Sequence, residues 1–179
     1  MAIPRLEKAT PNVSFERERG VYAIQVTHDV AHAIIDIGDD SLRTSRILQV
    51  FRTLNDADVP VFLVKMHRSA VTLALAGKDK EAAEASLKRA GFAITLRRDL
   101  AVVAVRAASM RDLSGIMIAI ADALYESGAR LFETGDSHNS VVCLIEGSHV
   151  TEAVNRLCQT FQLDASTVQV GSIEAEDTA

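Results

Sequence analysis

Between residues 30 and 97 the apolar residues are spaced as strand, helix, strand, strand, helix, strand, and from residue 100 the same order begins again. A repeated βαββαβ unit leaves few folds open, because each unit must lay its two helices on one face of its own sheet. In the first round, a strand over 30–37 leads through Gly38, Asp39, Asp40 and Ser41 to a helix. In that helix Ile47, Val50, Phe51 and Leu54 recur at helical spacing opposite Arg46, Gln49, Arg52 and Asn55. A strand over 59–66, a turn at His67, Arg68 and Ser69, and alternating Val71, Leu73 and Leu75 follow. Helix 80–90 turns Ala83, Leu87 and Ala90 inward and is stopped by Gly91, after which Phe92, Ile94 and Leu96 alternate.

The second round begins with a strand over 100–105 and a polar loop, Met110, Arg111, Asp112, Leu113, Ser114 and Gly115. Helix 116–127 is broken only by Asp122 in its apolar run and ends at Gly128, two strands occupy 129–134 and 140–146, and helix 150–162 completes the order. The segments SLRTSRILQVFRTLNDADVPVFLV and DLSGIMIAIADALYESGARLFETG agree in pattern, not in identity. This round lacks a clear last strand; only 167–170 could supply one. Upstream, 20–27 (GVYAIQVT) is a strand set off from 30–37 by a break at His28 and Asp29, and 1–19 reads as a tail. Half a chain of this length buries too little surface to be secure alone, so the two rounds are expected to pack together or with a second copy.

Composition narrows the function. A net charge of −5 argues against a nucleic-acid partner, which needs concentrated Lys and Arg. No apolar run is long enough for a membrane span, and the first residues lack a signal-peptide core. Cys143 and Cys158 sit singly in apolar patterns and read as free thiols of a reducing cytoplasm. The five histidines show no metal spacing and are assigned surface or turn roles. No Gly-rich phosphate loop occurs, no catalytic constellation is found, and no cofactor is expected.

Residues 101–163 resemble the second regulatory ACT module of aspartate kinases. The likeness rests on VVAVRAASMRDLSGIM, the helix end at Leu124, Tyr125, Glu126, Ser127 and Gly128, the strand 140–145, and EAVNRLCQTFQLD. Ser109, Met110 and Arg111 stand where the family has Gly-Met-Arg, and Gly115 stands for the glycine of its Pro-Gly. Residues 30–98 resemble the first module in architecture, with Ser41, Leu42, Arg43, Thr44 and Ser45 replacing Pro-Asp-Arg-Pro-Gly. The resemblance implies an α+β fold of two interleaved ferredoxin-like βαββαβ ACT modules, with antiparallel sheets and helices on one face. Module one would span 30–98. Module two would be 20–29 with 99–165, the early strand serving as its last strand, and 166–179 would be a C-terminal tail.

The same resemblance implies a non-catalytic protein that senses an amino acid of the threonine or lysine class, or associates with a separate kinase subunit, or both. The effector would sit where the strand-to-helix loops meet a neighbouring module. A helix N-terminus offers free N–H groups to a carboxylate, and a glycine lets backbone approach closely. The candidates are Met110, Arg111, Asp112, Ser114 and Gly115 in the second half, and Asp39, Asp40, Ser41 and Thr44 in the first. Two bland readings stand beside these: Ser114 as a helix N-cap, and the acidic pair as a solvated capping loop. The alternative function is an interaction protein whose effector loops have degenerated, which the replacement at 41–45 favours. Helix 116–125, apolar nearly all round, needs cover beyond its own sheet and is the expected dimer contact.

Overall fold

The computed structural model describes residues 20–38, 41–108 and 115–171. They form one sheet of seven strands flanked by four helices: β1 (Val21–Asp36), α1 (Arg43–Asp56), β2 (Val61–Met66), β3 (Ala70–Ala76), α2 (Lys80–Arg89), β4 (Ile94–Ala107), α3 (Ile116–Glu126), β5 (Leu131–Asp136), β6 (Ser140–Glu146), α4 (Val150–Phe161) and β7 (Val168–Gly171). The strand order is β2-β3-β1-β4-β6-β5, with β7 beside β1. Every pairing is antiparallel except β1 with β7.

The break expected at His28 and Asp29 is not a break. β1 continues through it, and β4 continues through residues 98–99, which sequence spacing also divides. Each long strand carries an aspartate in left-handed conformation, Asp29 with φ 54° and Asp99 with φ 56°. The β1–β4 register slips at the same place, between Thr27 and His32. A bulge adds one residue and turns the side-chain alternation over. In β1, Ile24 and Val26 therefore face α3 and α4, whereas Ala31, Ala33 and Ile35 face α1 and α2. In β4, Ala101, Val103 and Val105 join the first of these cores, and Ile94 and Leu96 pack on the second. Two strands thus serve two ferredoxin-like halves, and residues 21–27 of β1 pair with the second half of β4.

The elements of the two halves correspond at an offset of seventy, one less than the sequence patterns suggest. Ile37 N donates to Ser69 O at 2.9 Å, and Ala107 N donates to Asn139 O at 2.9 Å. Asp58 and Gly128 both have positive φ after their helices, and Leu87 and Leu157 are both fully buried. The sequence patterns pair Leu42 with Leu113, an apolar match that an offset of seventy does not keep.

Where a tail was expected from residue 166, a 3-10 turn over Ala165–Thr167 leads into β7. β7 runs parallel to residues 24–27 of β1 and covers its outer edge. The helix-free faces of the two halves close on one another in a third core, where Val30, Ala74, Leu100, Val102 and Leu144 meet Phe62, Leu63, Phe132 and Val142. Helix α3 buries Ile116, Ile120, Ala123 and Leu124, but leaves Ile118 68% and Tyr125 85% exposed. No helix among the described residues is long and apolar enough to cross a membrane.

Candidate functional site

Each expected loop follows the C-terminal end of a long strand. In the first half, Gly38, with φ 65°, donates its N–H to Asp36 Oδ1 at 2.9 Å. Asp39 and Asp40 lie outside the described residues. Ser41 and Thr44 are exposed around the start of α1, whose N-cap position is Leu42, with no side-chain cap. Arg43 ties this turn to the β2–β3 hairpin, donating through Nε to Arg68 O at 3.0 Å and through Nη2 to His67 O at 2.9 Å. Arg46 Nη1 donates to Ile37 O at 3.0 Å. Beside it a pocket of about 380 Å³ is lined by Asp36, Gly38, Arg46, Gln49 and residues 90–93. Sequence periodicity places Arg46 and Gln49 only on the polar face of α1; a carboxylate, a guanidinium and an amide around one hollow became visible when the α2–β4 turn closed it. Such a set matches the two charges of a free amino acid.

In the second half, Met110, Arg111, Asp112 and Ser114 lie outside the described residues. Gly115 is at the N-cap position of α3, so the expectation of Ser114 there gives way. Gly115 has φ 76°, and a Cβ added to it would meet nothing within 4 Å. The glycine is required by the backbone conformation, not by crowding from the described residues. Nearby, Ser137 Oγ is 2.8 Å from Ser140 Oγ and donates to Asn139 Oδ1 at 3.2 Å, fixing the hairpin beside the end of β4.

β1 and β4 are antiparallel, so their C-terminal ends point opposite ways. Asp36 N bonds to Ala93 O, next to the start of β4, and Ala107 pairs with Val21 at the start of β1. The starts of α1 and α3 are therefore held at opposite ends of the strand pair.

A polar cluster that the sequence reading missed lies between the halves. His32 is buried, only 4% exposed, where a surface or turn role was expected for every histidine. Its Nε2 is 3.3 Å from Glu133 Oε1 of β5, yet neither ring nitrogen makes a well-directed hydrogen bond. Thr72 Oγ1 donates to the same Glu133 oxygen at 2.7 Å, and His67 Nε2 lies 3.1 Å from Thr72 Oγ1. With the threonine proton committed to Glu133, His67 is the donor in that contact and carries its proton on Nε2. Burial pushes the His32 pKa below the usual imidazole value, and Glu133 only partly opposes this. Arg97 and Arg130 lie over the Phe132 ring, 4.9 and 5.2 Å from its centre. No cluster of three or more metal-binding side chains occurs among the described residues. Cys143 and Cys158 are free; burial pushes the Cys143 thiol up to about 12.

No model of a known protein family matches the chain. Aspartokinase 1 of Bacillus subtilis (strain 168) is 26% identical over 115 residues, which is 64% of this chain and 28% of that protein, so the chain spans under a third of this relative's length. The regulatory subunit of aspartate kinase from Thermus thermophilus, in ligand-free form, matches with a TM-score of 0.70 at 18% identity, covering 80% of this chain and 99% of that one. E. coli aspartokinase III in complex with lysine and aspartate matches with a TM-score of 0.64 at 15% identity, over 81% of this chain and 34% of that one. The fold is thus shared with the regulatory subunit of aspartate kinase: two ferredoxin-like βαββαβ units.

Proposed function

We propose that this chain is an amino-acid-sensing regulatory protein of the aspartate kinase type, binding a free amino acid of the lysine or threonine class. The observation that carries this is the match to an isolated regulatory subunit along 99% of that subunit's length. Residues 30–98 act as one effector module, and residues 20–29 with 99–165 as the other. The effector carboxylate meets the N–H groups at the start of α1 or α3, with Met110, Arg111, Asp112, Ser114 and Gly115, or Asp39, Asp40, Ser41 and Thr44, supplying the remaining contacts. A binding site that uses both loops takes one from each of two copies, because the starts of α1 and α3 are at opposite ends of the β1–β4 pair. The chain works as a homodimer joined through the exposed Met117, Ile118 and Tyr125 of α3. It transmits the effector to a separate kinase subunit in a reducing cytoplasm, where its two thiols stay free.

The test is a thermal-shift series with lysine, threonine and other free amino acids. A ligand at a hundred times its dissociation constant adds about 2.7 kcal/mol. Sedimentation of Ile118→Asp beside the parent chain reads the dimer. No shift with any amino acid favours the second reading, an interaction protein with degenerate loops. That reading draws support from Thr44 and Ser45, which stand where the family has its Pro-Gly pair.

A further inference from the structure

The seventy-residue repeat exposes an asymmetry at one sheet edge. Residues 24–27 of β1 are paired on both sides, with β4 and with β7. Their counterparts, residues 94–97 of β4, pair with β1 alone among the described residues; β6 begins its pairing only at Leu100. Ile24 and Val26 are fully buried with Val168 of β7 packed on their core, whereas Ile94 and Leu96 stay half-buried. Among the described residues, the edge of β4 therefore presents unpaired backbone groups and partly exposed apolar side chains, a ready template for another strand. On the opposite face Arg97 sits beside Phe132 with Arg130, and neither guanidinium is ion-paired among the described residues.

We propose that residues 173–176 of a second copy add to this edge as a strand, in the place β7 takes on β1. The segment Ile173, Glu174, Ala175, Glu176 alternates apolar with acidic residues. At strand period its apolar pair faces the side of Ile94 and Leu96, and its two carboxylates face the side of Arg97 and Arg130. The same chain cannot supply it. Gly171 pairs with Thr27 on the side of β1 away from β4. The vacant edge is three strand spacings away, ~14 Å. Ile173, two residues on, reaches at most ~7 Å from Gly171.

Hydrogen exchange on the full chain tests this by following those amides of residues 94–97 that point away from β1. In the parent chain they are protected at high protein concentration and lose protection on dilution. Glu174→Arg with Glu176→Arg removes that protection at high concentration, by ~tenfold or more in exchange rate. Adding Arg97→Glu with Arg130→Glu to this variant restores it. Protection that ignores the charge reversal, in a chain that still dimerises, overturns this proposal and leaves the α3 dimer standing. A chain that sediments as a monomer at every concentration overturns both.

Discussion

Glu133 and Leu63 occupy the same position in the two halves, seventy residues apart, and each reaches across to the helix-free face of the other half. Leu63 Cδ1 packs against Gly135 and joins Val102 and Val142 in an apolar core. Glu133 instead meets His32 and Thr72, which are the counterparts of Val102 and Val142. One crossing between the halves is greasy, and the other is a partly satisfied polar contact.

Making the polar crossing resemble the apolar one should therefore cost little. Glu133→Ala alone strands the Thr72 hydroxyl and the buried His32 ring, and is expected to lose about 1–3 kcal/mol in urea unfolding. The triple change Glu133→Leu, His32→Val and Thr72→Val replaces every buried partner with an apolar one. It should come within about 1 kcal/mol of the parent or above it. A triple variant weaker than the single one would show that the polar contacts contribute net stability.

The same cluster predicts a pH dependence. The folded pKa of His32 lies below its unfolded value near 6.5, so the unfolded chain binds the extra proton. Stability from the neutral, buried ring is complete above pH 6.5 and drains away as pH falls through the folded value. Glu133 works against this, while Arg97 and His67 work with it. Melting temperatures of the parent are expected to drop between pH 7.5 and pH 5 by more than those of His32→Gln. Parallel curves for the two proteins would remove His32 as the cause.

Much of the fold was legible because periodicity records which face is buried. Helices α2, α3 and α4 and the hairpin strand β6 follow from apolar spacing, whereas the pairing of residues 21–27 with the second half follows from the family resemblance. The continuity of β1 and β4 was not, because a bulge reads like a strand break: Asp29 and Asp99 interrupt the alternation just as a loop would. His32 was misread for a related reason. Nothing in its neighbours along the chain tells that β5, a hundred residues later, will close over it. Of the loop candidates only Gly115, Ser41 and Thr44 lie within the described residues, and sequence could not show that the starts of α1 and α3 are turned away from each other.

Two equivalent glycines should differ in what they tolerate. A Cβ on Gly147 would lie 2.7 Å from the carbonyl oxygen of Asp99, backbone held in the β4 bulge. A Cβ on Gly77 would strike the carboxylate of Asp29, a side chain free to swing aside. Gly147→Ala is expected near the upper end of the roughly 1–3 kcal/mol range for overpacking, and Gly77→Ala near the lower end. Urea midpoints of the two variants give the order, and equal losses would mean that the β4 bulge yields as readily as a side chain.

The effector loops can be told apart by the conformation of Gly115. Its φ of 76° is open to Gly and tolerable for Asn, but strained for any β-branched residue. Space is not the obstacle, since an added Cβ meets nothing within 4 Å. Gly115→Asn should therefore keep both the start of α3 and the response to the effector, whereas Gly115→Val should reorganise the turn, at about 1–2 kcal/mol, and abolish the response. In the first half Asp40→Ala removes a carboxylate without touching Gly38, which carries the left-handed turn there. Titrating the amino acids that raise the melting temperature against these three variants separates the loops. A response lost with Gly115→Val and kept with Asp40→Ala places the effector at α3. The reverse places it at α1, where Asp36, Arg46 and Gln49 already line a hollow of suitable polarity.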